Sequence, residues 1–140
     1  MQLPLRLEAL VLKSALRIGL LSEHDRALVL ALAACAIEPG RALREDEVNR
    51  RLRDWLADVG AMLQTDHVEL RRWLADTGYV ARDDWGHAYG RGPVQLEQAR
   101  QVLGTTDAAA LASAVRSVRI AAQFARVARQ RAFESRPSIV

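Results

Sequence analysis

Cysteine and lysine are nearly absent from this chain of 140 residues, which has one of each, Cys35 and Lys13. A single cysteine excludes a disulfide within the chain and fits a reducing cytoplasm. Cys35 lies in the apolar stretch LALAACAIE, which favours a buried, inert thiol over a reactive one. We therefore expect a cytoplasmic protein without disulfides.

Sequence signals for catalysis and metal binding are also missing. There is no Gly-rich phosphate loop and no recognisable Ser–His–acid arrangement, and His24, His67 and His87 lack the spacing of metal ligands. Asp83 and Asp84 precede His87, but a polar hairpin turn explains them better than a metal site. We expect no enzyme, no catalytic residue, no metal, no cofactor and no small-molecule ligand.

Long uninterrupted hydrophobic runs are absent as well. The leucine-rich N-terminus is broken by Arg6, Glu8, Lys13 and Arg17, and no signal-cleavage pattern follows it. It is therefore not a membrane span, and no membrane partner is expected. Half of the residues are nevertheless apolar, which is enough for one sizeable core.

Basic residues outnumber acidic ones by 20 to 17, and all but one of the basic residues are arginine. A pI near 9.7 suits a nucleic-acid partner. The excess is uneven, because residues 41–91 carry nine basic and ten acidic side chains, whereas residues 92–140 carry seven and three. The last third of the chain is thus the basic part.

Hydrophobic periodicity and capping residues predict most of the secondary structure. Helices are expected over 5–20, from Ser22 to the Pro39-Gly40 break, over 45–57 and 66–77, in a short stretch near 94–103, and from Thr105 or Thr106 to about 133. Two short strands, 79–82 and 87–91, are expected around a turn that contains Gly86.

Three helices followed by a hairpin are typical of a winged helix-turn-helix. We predict a mainly α fold, with a winged helix-turn-helix core of three helices plus a β-hairpin, flanked by long N- and C-terminal helices. The expected divisions are an N-terminal helix over 1–21, a winged-helix-like domain over 22–92 and a C-terminal helical extension over 93–140.

The 66–77 helix would then enter the major groove of DNA. At 100° per residue its outward side carries Val68, Arg71, Arg72 and Ala75. Arginine can pair with guanine and a small apolar group can touch a thymine methyl. The alternative is that both arginines are ordinary solvated charges, and the stretch alone leaves the two interpretations open.

The last helix combines a basic stripe with an apolar one. Five arginines and no acid lie between residues 108 and 133, and Arg116, Arg119 and Arg126 follow one face. The apolar stripe consists of Leu111, Val115, Val118, Ala122 and Ala125. Such a helix can pack on its own core, pair with its copy, or lie on an acidic surface such as DNA or a membrane. We predict a homodimer formed through the terminal helices.

Three stretches, EDEVNRRLRDWL, DHVELRRWLADTGYVARD and GHAYGR, resemble the bacterial domain-of-unknown-function family 2087. The resemblance covers about residues 41–91. Members of this family often occur in proteins described as transcriptional regulators, so the resemblance implies a bacterial regulator with a winged-helix-like domain.

The function predicted from the sequence is a dimeric, DNA-binding transcriptional regulator of the winged-helix type. One alternative is a winged-helix protein-interaction module in which Val68, Ala75 and Trp85 face a partner. The least favoured is an uncharacterised enzyme. The candidate DNA-binding residues are Val68, Arg71, Arg72, Ala75, Arg82, Arg91, Arg116, Arg119 and Arg126.

Overall fold

Helices dominate the computed structural model of this chain, which describes residues 1–37, 42–82, 89–90 and 93–137. Six α-helices and two very short strands occur in these residues, with a 3-10 turn at Ile18–Leu20. They are α1 (Leu5–Val11), α2 (Glu23–Ala34), α3 (Glu45–Ala57), α4 (His67–Asp76), β1 (Ala81–Arg82), β2 (Tyr89–Gly90), α5 (Pro93–Leu103) and α6 (Ala108–Glu134).

The central helix is α2, as its apolar sequence predicts. Ser22 caps it, because the Ser22 hydroxyl accepts a hydrogen bond from the Asp25 N–H at 3.1 Å. Every residue from Leu28 to Ala34 is buried, and α1, α4 and α5 all contact this helix. A helix that is apolar all round must be covered on all sides, and the surrounding helices meet that requirement.

The first helix is shorter than predicted, since it ends at Val11 rather than near residue 20. Ala15 takes a positive φ of 57°, which no helix continues through. Leu16 then forms a parallel bridge with the segment after α3: its N–H donates to the Met62 carbonyl at 2.9 Å, and its own carbonyl accepts from Gln64 at 2.7 Å. A long-range pairing therefore replaces the predicted helical turns.

Helices α3 and α4 pack against each other; the predicted bounds of α3 are confirmed, and α4 with its predicted cap lies within the range 66–77. Leu52, Leu70 and Leu74 are fully buried between the helices and the core. Asp66 caps α4, because its carboxylate accepts the Glu69 N–H at 2.8 Å. Gly78, with φ of 83°, ends the helix in the left-handed conformation that glycine permits.

The predicted winged helix-turn-helix core is wrong, because the described residues form a helical assembly without a β-hairpin wing. The only strands among them have two residues each, joined by the pairs Ala81↔Gly90 and Arg82↔Tyr89. The predicted strand residues Tyr79 and Val80 are buried instead, and both donate their N–H to the Leu74 carbonyl, at 2.8 and 3.2 Å. The two N–H groups thus bind a free carbonyl at the C-terminus of α4 and do not pair with a neighbouring strand. The predicted turn, including Gly86, lies outside the described residues.

The last two helices help to build the core. Ala99 and Leu103 of α5 are buried, as are Leu111 and Val115 of α6, and all four join one hydrophobic cluster with α1 to α4. The cap of α6 is Asp107 rather than the predicted threonines, since its carboxylate accepts the N–H groups of residues 109 and 110, each at 3.1 Å. In the described part of the chain, no helix combines the length and the apolar character needed to cross a bilayer.

Candidate nucleic-acid interface

Arg71, the first candidate DNA-reading residue, binds within the protein. Its guanidinium donates to the Glu45 carboxylate at 3.0 Å and to the Asn49 side-chain oxygen at 2.6 Å. Both acceptors lie on α3, and the Arg71 side chain is only 20% exposed. Arg71 thus joins α4 to α3 and is directed away from any groove that α4 could enter.

The rest of the outward side of α4 is exposed but acidic. Val68, Arg72 and Ala75 are all exposed, as predicted. A shallow depression on this side, the α4 face, is lined by three carboxylates and one guanidinium besides Val68 and Trp73. The charged members of the α4 face are Asp66, Glu69, Arg72 and Asp76. A net negative surface repels phosphate, so this face is poorly suited to DNA.

Two predicted DNA contacts, Arg82 and Arg91, and one predicted protein contact, Trp85, lie wholly or partly outside the described residues. The backbone of Arg82 belongs to β1, but its side chain lies outside the described structure. Arg91 and Trp85 lie wholly outside the described residues.

Arg119 fastens α6 to the body of the protein. Its guanidinium donates to the carbonyls of Val11, Asp58 and Val59 at 3.1, 2.7 and 2.8 Å. Partial burial lowers the pKa of Arg119, an effect that the nearby Asp58 carboxylate opposes. Because Arg119 donates to three backbone carbonyls, its role is structural. Its position on the basic stripe of the sequence does not indicate this role.

Arg116 binds the Asp58 carboxylate with both Nε and Nη2. The hydrogen bond from Arg116 holds the pKa of Asp58 below its usual value, against the opposing effect of desolvation. Since both side chains are about half exposed, 54% and 46%, solvent screens this pair, and it contributes little to stability. Of the predicted basic stripe, Arg116 and Arg119 are therefore engaged in contacts that dock α6.

Replacing Asp58 with asparagine tests this docking through pH. A carboxylate whose folded pKa is lowered stabilises the fold above its unfolded pKa of about 3.9, and the contribution is lost as pH falls through the folded pKa. Asp58→Asn should lower the urea midpoint slightly at neutral pH and leave it unchanged in strong acid. Asp54→Asn is the control, because Asp54 is exposed and makes no ion pair among the described residues. Equal midpoint losses for both variants at neutral pH would contradict the assignment.

Beyond its docked part, α6 continues as a helix that stands clear of the body. Every residue from Gln123 to Glu134 is exposed, and we call this stretch the free half of α6. At 1.5 Å per residue it extends about 18 Å. It continues the docked part of the same 27-residue helix, so its helical conformation is propagated from there.

A concave surface, the α6 groove, lies between the free half of α6 and the end of α1. Its floor is apolar and includes Val11, Leu12 and Met62. Four cations and no carboxylate occur in its lining; they are Lys13, Arg119, Arg126 and Arg129. Arg126 was predicted from its stripe, whereas Lys13 was not, because it comes from a distant part of the chain. Arg129 follows Arg126 by one helical turn, a spacing visible in the sequence.

The first part of the apolar stripe predicted on α6 packs within the chain itself, whereas Ala125 at its end is exposed. Leu111 and Val115 are buried at 1% and 0% exposure, and Val118 packs against the same core. A different apolar side is open to solvent: Ile120, Phe124 and Val127 are 53%, 71% and 39% exposed. Their spacing of four and three residues places them on one face of the helix. This second stripe is visible in the sequence, but it was not predicted because the longer stripe from Leu111 to Ala125 already provides an apolar side of the helix.

The family comparison agrees with the resemblance seen in the sequence. Residues 21–91, half of the chain, match the family described as "Uncharacterized protein conserved in bacteria (DUF2087)", and the chain belongs to that family. The match extends beyond the expected residues to include α2. No curated protein and no solved structure matches the chain. The described residues contain no cluster of three or more His, Cys, Asp or Glu side chains that could hold a metal ion.

Proposed function

We propose that the protein is a DNA-binding transcriptional regulator that holds the phosphate backbone in the α6 groove. One observation carries the proposal: Lys13, Arg126 and Arg129 line a surface without carboxylates. Among the described residues, none of these three cations has an ion-pair or hydrogen-bond partner. Cations that are free to neutralise phosphates release counterions, which supplies most of the non-specific affinity for DNA.

The shape of the free half of α6 supports the same proposal. An α-helix with its side chains is 10–12 Å wide, and the major groove of B-DNA is about 12 Å wide. We place the free half of α6 in the major groove of the DNA. The α6 groove of the protein then lies beside one DNA strand and binds its phosphates.

The proposed contact surface differs from the one expected for a winged helix. Arg71 is bound to α3, and the α4 face carries more carboxylates than cations. The charge imbalance between residues 41–91 and 92–140 points the same way, since the excess of arginine lies in the last third of the chain. The regulatory role is what the resemblance to this family implies, and such a regulator would act in the cytoplasm.

A protein-interaction module without DNA binding is the second candidate. The observation that favours it is the α4 face itself, where Val68 is 42% exposed among carboxylates. Exposed Ala75 extends the apolar part of this side of α4. A surface of this kind fits a basic, partly apolar protein partner.

The salt dependence of binding to a short random-sequence duplex tests the proposal. The affinity should fall as salt rises, with a log–log slope of about −2.7, because each phosphate contact contributes about −0.9. Fluorescence anisotropy of a labelled duplex across a series of KCl concentrations measures this slope. Absence of binding at low salt would leave the interaction module as the better account, to be tested by pull-down with Val68→Asp as the control.

A further inference from the structure

The free half of α6 has two different sides. Arg126 and Arg129 lie on the side of the α6 groove, whereas Phe124 and Val127 lie roughly 100–160° away around the helix, and Ile120 lies at the edge of the groove that it helps to line. One more residue, Arg131, continues the apolar side four positions after Val127. We call Ile120, Phe124, Val127 and Arg131 the α6 stripe.

We propose that the α6 stripe binds a second copy of this chain as an antiparallel helix pair. Every residue of the free half is exposed, so a packing partner that buries its apolar side chains stabilises it. Spacings of four and three residues form the apolar seam on which two helices pack. This inference does not rest on DNA binding.

The arrangement of charge identifies a second copy as the occupant. Arg126 and Arg129 point away from the stripe, so like charges of two copies stay apart when the stripes meet. Any pairing must then accommodate Arg131, the only charged residue of the stripe. With the two-fold axis at the level of Val127, Arg131 of one copy lies beside Phe124 of the other, where a guanidinium can stack on the ring.

A cation–ring contact of the same kind already occurs at the C-terminal end of α6, with an arginine that follows the helix. The Arg136 guanidinium carbon lies 5.9 Å from the centroid of the Phe133 ring, on another side of α6. Phe133 therefore has a cation against its ring, whereas Phe124, which is equally exposed, has no ring contact of this kind among the described residues. The antiparallel pair supplies that contact twice, once for each copy.

The flank of the stripe also favours close approach. Ala121 and Ala128 border it on one edge, and a two-fold axis brings this edge of one copy against the same edge of the other. Small side chains there allow the helix axes to come within the usual 8–10 Å. A closed two-fold pair also limits assembly to a dimer.

Sedimentation of the full chain without DNA, at high micromolar concentration, tests the proposal. The wild type should have twice the mass of the 15.5-kDa chain, and Phe124→Asp should halve the measured mass. Phe133→Asp is the matched control, since Phe133 is 70% exposed against 71% for Phe124 but lies outside the stripe. Circular dichroism verifies that both variants keep their fold. A monomeric wild type, or a dimer that survives Phe124→Asp, would overturn the proposal.

Disulfide trapping tests the register separately. Val127→Cys places two thiols close to the two-fold axis, so oxidation should link the copies covalently. Ala121→Cys is the control, because antiparallel pairing separates the two thiols by about 20 Å at 1.5 Å per residue. Cys35 is buried and does not compete. Equal cross-linking of both variants, or none in either, would overturn the antiparallel register.

Discussion

Replacing Lys13, Arg126 and Arg129 together with glutamine should weaken binding to duplex DNA by about 500-fold at about 0.1 M salt. Each phosphate contact contributes about 0.9 to the slope of log affinity against log salt concentration. If the two proteins bind equally at about 1 M salt, the loss of three contacts lowers the affinity at about 0.1 M by about 2.7 powers of ten. The slope itself, about −2.7 for the wild type, should approach zero. Fluorescence anisotropy across a salt series measures both quantities on the same samples.

The matched control removes the same charge from another part of the surface. Arg50, Arg53 and Arg72 are exposed, and no partner binds them among the described residues. Replacing these three with glutamine changes the net charge equally but leaves the α6 groove intact. We expect a small loss of affinity from the weaker long-range field and an unchanged slope. Equal losses in the two triple variants would mean that net charge alone drives binding.

Gly60→Ala should destabilise the fold by about 3 kcal/mol, a large part of the 5–15 kcal/mol typical of a domain. A Cβ at this position would overlap Cζ3 and Cε3 of Trp55 and lie 2.9 Å from Cη2. The indole ring cannot easily yield, since Trp55 is 8% exposed and belongs to the core. The backbone cannot yield either, because the Gly60 N–H donates to the Trp55 carbonyl at 2.8 Å.

Gly19→Ala provides the control for this substitution. A Cβ there would lie 3.8 Å from the nearest atom of Trp73, an ordinary van der Waals distance, and Gly19 is exposed. Urea unfolding of the two variants should show a clear loss of stability for Gly60→Ala and almost none for Gly19→Ala. A Gly60→Ala variant as stable as the wild type would refute the packing of the turn after α3 against Trp55.

Features fixed by neighbours in the sequence were predictable. The caps Ser22 and Asp66 bind N–H groups three residues ahead, and the glycine stop at Gly78 depends only on its own backbone. The bounds of α3 follow from the apolar periodicity and the acidic first turn. In each case the interaction that decides the structure lies within a few residues.

Features fixed by distant contacts were not predictable. The helix expected to reach residue 20 stops early because Leu16 pairs with the segment around Leu63. The strand expected at Tyr79 is absent because that amide closes α4. The apolar pattern of a short run is compatible with both a helix and a strand, and contacts with distant residues decide which of the two forms.

The candidate site shows the same limit for charged residues. Arg71, Arg119 and Arg126 look alike in the sequence, each lying on a polar helix face. The structure gives Arg71 and Arg119 acceptors from elements far away in the chain, whereas Arg126 remains in the α6 groove. Lys13 joins that groove only because the end of α1 lies beside α6. A linear pattern therefore identifies cations but not which of them remain available to a ligand.

Photo-cross-linking to DNA tests most directly whether the α6 groove, rather than the α4 face, contacts the duplex. Gln123→Cys places a thiol in the α6 groove, and Ala75→Cys places one on the exposed side of α4. Both carry the same photoreactive label, while the buried Cys35 stays unlabelled. On a random-sequence duplex at low salt, the label at residue 123 should cross-link to DNA and the label at residue 75 should not. Cross-linking from residue 75 with none from residue 123 would contradict the proposed interface.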